Sequence, residues 1–394
     1  MHKWTADRIH NGEHFISEQV IVTEDDGTIV DFCSKQDAGS DLITHKGILC
    51  PGFINTHCHL ELSYMKERIH EKTGLHSFLK HVILSGRDQD PCDEENIRER
   101  TLAMAAAEEE MIQQGIVAVG DISNTLFSLT QKEQRRLHYV TFIECMGLRS
   151  ASADSIIEHG IAMRDQFKAR GLPAMVVPHA PYSVSRKLFA HINQHNRGLI
   201  SIHNQEDYDE NRLYLGDPPG IYALLEALEI PFDQLEPTGK TSLRSYLPWF
   251  THDQPLLLVH NVYTRLTEMA EVMHSGRTIY WCLCPNANWF IDEQVPPVEA
   301  LRSLFARITL GTDSLASNHQ LSILSEMQCL QKHFPKMPLE EMLRWATANG
   351  ADALDCDHLF GRLQKGKSPG LLLLENLSAD QQTLLPETSV QRLC

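Results

Sequence analysis

Eight short apolar runs recur along the 394-residue chain, and stretches of helical composition lie between them. The runs cover residues 47–57, 115–121, 138–145, 174–178, 198–203, 255–260, 278–284 and 306–313. Helical composition is clearest at 93–114, where Asp93 is placed to cap a helix, and at 321–333 and 339–353. Strands that alternate with helices eight times predict an α/β protein whose core is a (β/α)8 TIM barrel.

The two ends of the chain do not follow this alternation. Residues 19–23 and 28–33 have the composition of short strands around a turn, and 361–363 and 370–374 are also predicted strands. Because both terminal segments bracket the barrel, we expect them to pack together. The predicted domains are a composite small β domain, a β-sandwich, from residues 1–50 and 357–394, and the barrel from 51–356.

Charge and composition exclude several classes of partner. The formal net charge is −17, which argues against nucleic acid or an anionic membrane surface as a partner. The first residues lack the apolar core of a signal peptide, and no run approaches the ~18 apolar residues of a membrane span. Ten cysteines with no C-x-x-C pair indicate free thiols in a reducing compartment. We therefore expect a cytoplasmic protein that acts on a small molecule.

Histidine and aspartate side chains mark the ends of several predicted strands. The first run ends in His57-Cys-His59, the fifth in His203, the sixth in His260 and the eighth in Asp313. The carboxyl ends of barrel strands converge on one face, and alternate residues of a strand share a side, so His57 and His59 can reach one ion. Imidazoles with a carboxylate are the donors of a catalytic Zn²⁺ or Fe²⁺ site. With 21 histidines in the chain, a single one carries little weight, but the ordered set predicts a metal site.

Glu206 follows His203 by three residues. If the chain leaves its strand at His203, the Glu206 carboxylate can turn back toward a water at the metal and carry its proton to a leaving group. The alternative is that Glu206 is one of several solvated acids in the segment 206–210. Its position after His203 favours the first interpretation.

Two longer motifs resemble a known family. Pro51-Gly-Phe-Ile-Asn-Thr-His57-Cys-His59-Leu-Glu61-Leu-Ser63 is similar to the first-strand signature of the amidohydrolase superfamily. Leu310-Gly-Thr-Asp313-Ser-Leu-Ala-Ser-Asn318 is similar to its eighth-strand signature. The resemblance spans essentially the whole chain. Within the superfamily it is greatest to the deaminases of S-adenosylhomocysteine, methylthioadenosine, aminofutalosine and guanine, and the motifs look most like those of aminofutalosine deaminases.

The resemblance implies a role for each matching residue. The metal ligands are then His57, His59, His203 and Asp313. It makes Glu206 the proton shuttle, lets Asp313 also take the proton of the attacking water, and places His260 on that water or on the tetrahedral centre. His179 matches a residue that contacts substrate in nucleoside deaminases, although a buried structural histidine is the alternative.

The implied cofactor is one divalent metal ion. Binuclear members bridge two metals through a carbamylated lysine on the fourth strand, and residues 174–178 contain no lysine. Zinc is the expected ion and iron the alternative. Barrels of this kind often pair, so a homodimer is a further expectation.

Substrate contacts and the reaction leave alternatives open. Asn288 is predicted to read a ring edge or to cap a turn, and Glu61 to reach a ribose hydroxyl or a partner at the barrel rim. Trp289 and Phe290 either stack on a flat ligand or pack in the core. The predicted activity is hydrolytic deamination of an aminopurine nucleoside. The alternatives are hydrolysis of an amide or a halogenated triazine at the same metal, an inactive scaffold, or a metal-storage protein.

Overall fold

The computed structural model describes residues 1–17, 19–87, 93–217, 220–230 and 236–394. Within these ranges no helix has both the length and the apolar composition that crossing a membrane requires.

Strands from both ends of the chain form two sheets. The N-terminal strands are β1 (His2–Thr5), β2 (Arg8–His10), β3 (Phe15–Ile16), β4 (Gln19–Thr23), β5 (Ile29–Ser34), β6 (Leu42–Thr44) and β7 (Ile48–Pro51). One sheet has the order β5-β4-β1-β6. The other begins with the C-terminal strands β17 (Ser389–Arg392) and β16 (Leu371–Glu375) and continues through β7, β2 and β3. A buried apolar cluster contains Trp4 and Ile21 of the first sheet together with Leu49 and Leu373 of the second.

The terminal segments correct two expectations. Residues 361–363 form no strand; Gly361 has a φ of +80°, and a Cβ there would lie 2.5 Å from that of Ala351, so the chain turns at this glycine. The predicted first run, 47–57, is two strands, because the chain passes from the terminal sheet into a parallel sheet at Gly52. A Cβ at Gly52 would lie 2.4 Å from Val117 Cγ1, so only glycine fits this crossing.

Eight strands form two parallel sheets of four. One contains β8 (Phe53–Cys58), β9 (Ile116–Ser123), β10 (His138–Cys145) and β11 (Ala174–Pro178) in the order β11-β10-β9-β8. The other contains β12 (Ile200–Asn204), β13 (Leu256–His260), β14 (Ile279–Leu283) and β15 (Arg307–Leu310) in that order. These strands match the eight predicted runs, and the protein has the predicted α/β class.

Backbone hydrogen bonds connect the two parallel sheets at both edges. The amide of His203 on β12 donates to the carbonyl of His179, which follows β11 (2.9 Å). At the other edge the amides of Thr312 and Asp313 donate to the carbonyl of His57 (3.0 and 3.1 Å). The chain segments that carry the predicted metal ligands are therefore held directly against one another.

Fourteen α-helices lie between or beside these strands in the described residues. They are α1 (Leu75–Arg87), α2 (Glu94–Gln113), α3 (Leu129–Glu133), α4 (Ala153–Ala169), α5 (Arg186–His195), α6 (Tyr208–Leu215), α7 (Ile221–Ala227), α8 (Ser242–Tyr246), α9 (Leu266–His274), α10 (Pro285–Asp292), α11 (Val298–Ser303), α12 (Ile323–His333), α13 (Leu339–Ala346) and α14 (Ala348–Ala353). Asp93 caps α2 as predicted, accepting from the amide of Asn96 (3.0 Å). The predicted helix 339–353 is broken at Thr347, whose ψ of −89° departs from helical geometry.

Side chains of the parallel strands enter two different cores. On β13, Leu256 and Leu258 belong to the cluster that contains most helix side chains, whereas Leu257 and Val259 belong to a second cluster with residues of the facing strands. This alternation is the two-residue period of a strand buried on both faces. It fixes which way each strand end points, and so which residues face the site.

Candidate metal centre

Five buried side chains meet at the carboxyl ends of the parallel strands. They are His57, His59, His203, His260 and Asp313. The Nε2 atoms of His57 and His59 are 3.2 Å apart, and Asp313 Oδ1 lies 3.6 and 3.4 Å from them. The rings of His203 and His260 are stacked with centroids 5.4 Å apart. The structure thus brings together all five residues that the sequence placed at strand ends.

The donor atoms of this cluster fit a divalent metal. One donor atom from each of His57, His59 and Asp313 lies within 4.8 Å of the others, and the same holds for His57, His203 and His260. Burial lowers the pKa of His59, and that of His203 well below its ordinary value, which favours neutral rings with free lone pairs. Burial alone would raise the pKa of Asp313, but the hydrogen bond with His57 and the proximity of His59 hold it well below its usual range. Neutral imidazoles around a carboxylate are the ligand set of zinc or iron sites.

Glu206 lies beside this cluster and borders the same cavity. Its Oε1 is 3.6 Å from Nε2 of His260. Burial, followed by the charge of Asp313, raises the pKa of Glu206 well above its ordinary value. The side chain is therefore buried at the cluster and not part of a solvated run, and its environment favours the protonated acid.

The backbone before Glu206 is held in an unusual conformation by a buried network. Gln205 has a φ of +46° and is fully buried. Its amide donates to Glu210 (2.9 Å), its side-chain nitrogen donates to Asn211 (2.8 Å), and its side-chain oxygen accepts from Thr264 (2.6 Å). These bonds stabilise the left-handed turn that directs Glu206 back over the strand ends.

A cavity of about 470 Å³ opens above the cluster. His59, Glu206 and Asp313 lie at its polar end. Much of the remaining wall is apolar and comes from α1 and α7, including Leu75, Phe78, Leu79, Ile221, Leu224 and Leu225. No lysine or arginine is among the described residues that border it. Such a cavity suits a small, uncharged molecule and disfavours an anion.

His179 borders the cavity next to His203. Their ring centroids are 4.7 Å apart. The carbonyl of His179 lies 2.9 Å from Nδ1 of His203, so it orients that ring with Nε2 toward the cluster. The Nδ1 of His179 is 2.7 Å from the Ser183 hydroxyl. His179 therefore serves as a brace through its backbone and has a ring nitrogen available to the cavity.

Glu61 and Asn288 lie outside the residues that border the cavity. Glu61 accepts hydrogen bonds from the backbone amides of Asn124, Thr125 and Ser128 (3.1, 3.0 and 3.4 Å), which holds the loop after β9. The amide nitrogen of Asn288 lies 3.1 Å from Nδ1 of His260. Both side chains thus contact the protein around the site, and the ribose contact of Glu61 and the ring contact of Asn288 stay predictions.

The aromatic pair after Asn288 packs within the protein. The ring of Trp289 is 4.4 Å from that of His333, and Phe290 belongs to a buried apolar cluster with Tyr64 and Phe78. Of the two interpretations left open, packing is the one that the structure supports.

Sequence reasoning missed one carboxylate of the cavity. Glu144, the last but one residue of β10, borders it, and its side chain is 3% exposed. One oxygen accepts from the Asn124 side chain (2.9 Å), and the other, Oε1, lies 3.7 Å from His203 Nδ1. The available signal was its place at the end of the third predicted run, because the predicted ligands lie at the ends of other runs.

The fold and the cluster define a class of metal-dependent hydrolases built on parallel α/β strands. Residues 48–391 match the sequence model described as the amidohydrolase family. The chain belongs to the amidohydrolase family, and the family together with the cluster supports a divalent metal.

Three of the individual relatives and solved structures have 19–27% sequence identity to this chain. The chain is 27% identical over 338 residues to an aminodeoxyfutalosine deaminase of a Nitratiruptor species, covering 83% of this chain and 79% of the relative. The crystal structure of Helicobacter pylori aminofutalosine deaminase in complex with methylthio-coformycin has a TM-score of 0.79 at 22% identity, covering 95% of this chain and 92% of that one. An adenosine deaminase from Xanthomonas campestris with bound zinc has a TM-score of 0.74 at 19% identity, covering 96% and 85%.

Proposed function

We propose that the protein is a hydrolytic deaminase that replaces the exocyclic amino group of an aminopurine nucleoside by oxygen and releases ammonia. The observation that carries the proposal is the position of Glu206, buried beside His260 and Asp313 at the polar end of a cavity with apolar walls. A buried acid whose surroundings raise its pKa, next to a carboxylate whose surroundings lower its pKa, is the acid–base pair that such a reaction needs. Relatives named as nucleoside deaminases support this choice.

The proposal assigns a role to each residue of the cluster. His57, His59, His203 and Asp313 would hold one divalent ion, zinc in preference to iron. What such an ion supplies when bound is Lewis-acid activation of water. Asp313 takes the proton of the attacking water, and His260 hydrogen-bonds the oxygen at the tetrahedral carbon. Glu206 donates its proton to the ring nitrogen, accepts the proton that Asp313 took from the water, and delivers it to the amine, which leaves as ammonia when the C–N bond breaks. The proton of the hydroxyl at the tetrahedral carbon then restores Glu206 and leaves the oxo product.

The proposed architecture places these residues on a rigid frame. We infer that the two parallel sheets close into a (β/α)8 barrel of residues 51–356, and that residues 1–50 and 357–394 form a separate β-sandwich domain. The hydrogen bonds from His203 to His179 and from Asp313 to His57 support closure. The pairing of β16 with β7 supports a composite terminal domain.

The test is ammonia release by purified protein of known metal content. The panel is aminofutalosine, S-adenosylhomocysteine, methylthioadenosine, adenosine, guanine and cytosine. Glu206→Gln should lower kcat by about 10²- to 10⁴-fold while metal content is retained, because the amide cannot transfer a proton.

The matched control is Glu226→Gln, at an exposed position on α7 that does not border the cavity. This variant should keep full activity. Absence of ammonia from every member of the panel, with metal bound, would contradict the deaminase proposal and direct attention to amide substrates.

A further inference from the structure

Glu144 holds an unsatisfied acceptor in the cavity wall. Its Oε2 accepts from Asn124, but no described residue forms a hydrogen bond with its Oε1, although that atom is buried. Buried carboxylate oxygens without a partner are costly, so such an atom in a cavity wall indicates a ligand that supplies a donor.

Hydrogen bonds fix the orientation of the Glu144 carboxylate. Asn124 donates to Oε2 through its side chain, and its own backbone amide donates to Glu61 (3.1 Å). Glu61 also accepts from Thr125 and Ser128 of the same loop. The chain Glu61–Asn124–Glu144 thus fixes one oxygen and leaves the other without a partner, on a side chain that borders the cavity. This relay gives Glu61 a function at a distance from the ligand.

A second acceptor lies next to Glu144. The Ser183 hydroxyl lies 3.1 Å from the carbonyl of Ala180 and 2.7 Å from Nδ1 of His179; when its proton goes to Ala180, the Nδ1–H of His179 donates to Ser183. The other nitrogen of a neutral His179 ring is then an acceptor. One carboxylate oxygen of Glu144 and one ring nitrogen each of His179 and His203 lie within 4.8 Å of one another.

We propose that Glu144 and His179 form a hydroxyl-binding pair that accepts hydrogen bonds from adjacent hydroxyl groups of the substrate's sugar. This inference rests on the proposed function, since it takes the substrate to be a nucleoside. Two neighbouring acceptors match two neighbouring hydroxyl donors, and a phosphate or carboxylate, which offers only acceptors, is rejected.

Equilibrium binding tests the pair independently of turnover. The zinc-loaded full chain is titrated calorimetrically with inosine, 2′-deoxyinosine and 3′-deoxyinosine, which carry no amino group to hydrolyse. The unaltered protein should bind inosine roughly 10- to 100-fold more tightly than either deoxy analogue, because each analogue lacks one of the two bonded hydroxyls.

Glu144→Gln supplies the second arm. If the amide oxygen faces Asn124, its NH₂ group faces the ligand, so the acceptor becomes a donor. The variant should bind inosine roughly 10- to 100-fold more weakly than the unaltered protein does. It should bind the deoxy analogue that lacks the hydroxyl bonded to Glu144 with unchanged affinity. Glu226→Gln is the control, and zinc content is measured for every variant.

Several outcomes would overturn the pair. Equal affinity of the unaltered protein for all three nucleosides, or no binding of any, would refute the pair. An equal loss of affinity for every ligand, together with loss of zinc in Glu144→Gln, would also refute it and would make Glu144 an orienting partner of His203. Loss of a second zinc equivalent would assign these atoms to a cation. Ammonia release that is indifferent to the sugar hydroxyls and to Glu144 would refute the pair and leave the deaminase proposal intact.

Discussion

Removal of the Lys132 ammonium group should destabilise the protein strongly. Lys132 and Asp121 have fully buried side chains, and Lys132 Nζ lies 2.6 Å from Asp121 Oδ2. The ammonium also donates to the hydroxyls of Ser123 (2.9 Å) and Thr141 (3.2 Å). The other oxygen of Asp121 accepts from the amide of Leu60, the residue after His59. The pair therefore lies directly behind a predicted metal ligand.

The magnitude follows from the burial of both charges. Lys132→Met keeps most of the side-chain volume but leaves an uncompensated carboxylate in the interior, which costs about 3–5 kcal/mol of unfolding free energy. Asp121→Asn leaves the opposite charge uncompensated and should cost a similar amount. The double variant carries neither charge. The double variant should therefore lose about 1–3 kcal/mol less unfolding free energy than the two single variants lose together.

Urea unfolding of the four zinc-loaded proteins, at one fixed free-zinc concentration, measures these values. A loss below about 1 kcal/mol in Lys132→Met, or single losses that simply add in the double variant, would refute the assignment of Lys132 and Asp121 as a coupled buried pair.

Two further predictions concern pH and metal. Burial raises the pKa of Glu210 from 4.5 to about 8, so the folded protein binds this proton more tightly than the unfolded chain, and stability falls as pH rises between those values. Glu210→Gln stays neutral at every pH, so it should reduce the fall in unfolding free energy between pH ~6 and ~8 by about 2 kcal/mol. Urea unfolding at the two pH values measures this, and the same fall in the variant as in the unaltered protein would contradict the prediction. Asp313→Asn removes the carboxylate of the cluster and should lower bound metal well below that of the unaltered chain in elemental analysis, whereas near-equal content would exclude Asp313 as a ligand.

The α/β alternation was the part of the fold most accessible from sequence. Apolar runs of four to eight residues correspond to strands buried on both faces, and their order survives because each pairs with a neighbour along the chain. The split of the run 47–57 was hidden, because it depends on Gly52 passing Val117, a contact between residues 65 positions apart. Likewise, β17 has exposed, polar residues and becomes a strand only by pairing with β16.

The sequence predicted which side chains lie together where a side chain's direction follows from the strand that carries it. His57 and His59 share a face because they are two residues apart, and their Nε2 atoms do meet. Glu61 lies on a short 3₁₀ helix (Leu60–Met65) and Asn288 on α10, so their directions depend on contacts with the loop after β9 and with β13 that no local pattern encodes. Glu144 was overlooked for the opposite reason. It lies on a strand, but a single glutamate carries no motif.

Part of the site has a backbone conformation that sequence rules for turns assign to glycine, so those rules do not predict it. Thirteen described non-glycine residues have a positive φ, and the buried ones among them are Gln205, His260, Asn261 and Asp313. All four lie at carboxyl ends of β12, β13 or β15, at or next to the cluster. Each such residue costs of order 1 kcal/mol or more relative to ordinary backbone, so a sequence selected for stability alone would place glycine there. Glycine has no side chain to present, and a site that needs the imidazole or carboxylate at the turn itself must stabilise the strained backbone by other means. The buried hydrogen bonds of Gln205, and those of the Asn261 side chain to the carbonyls of Leu258 and Cys282, supply that stabilisation.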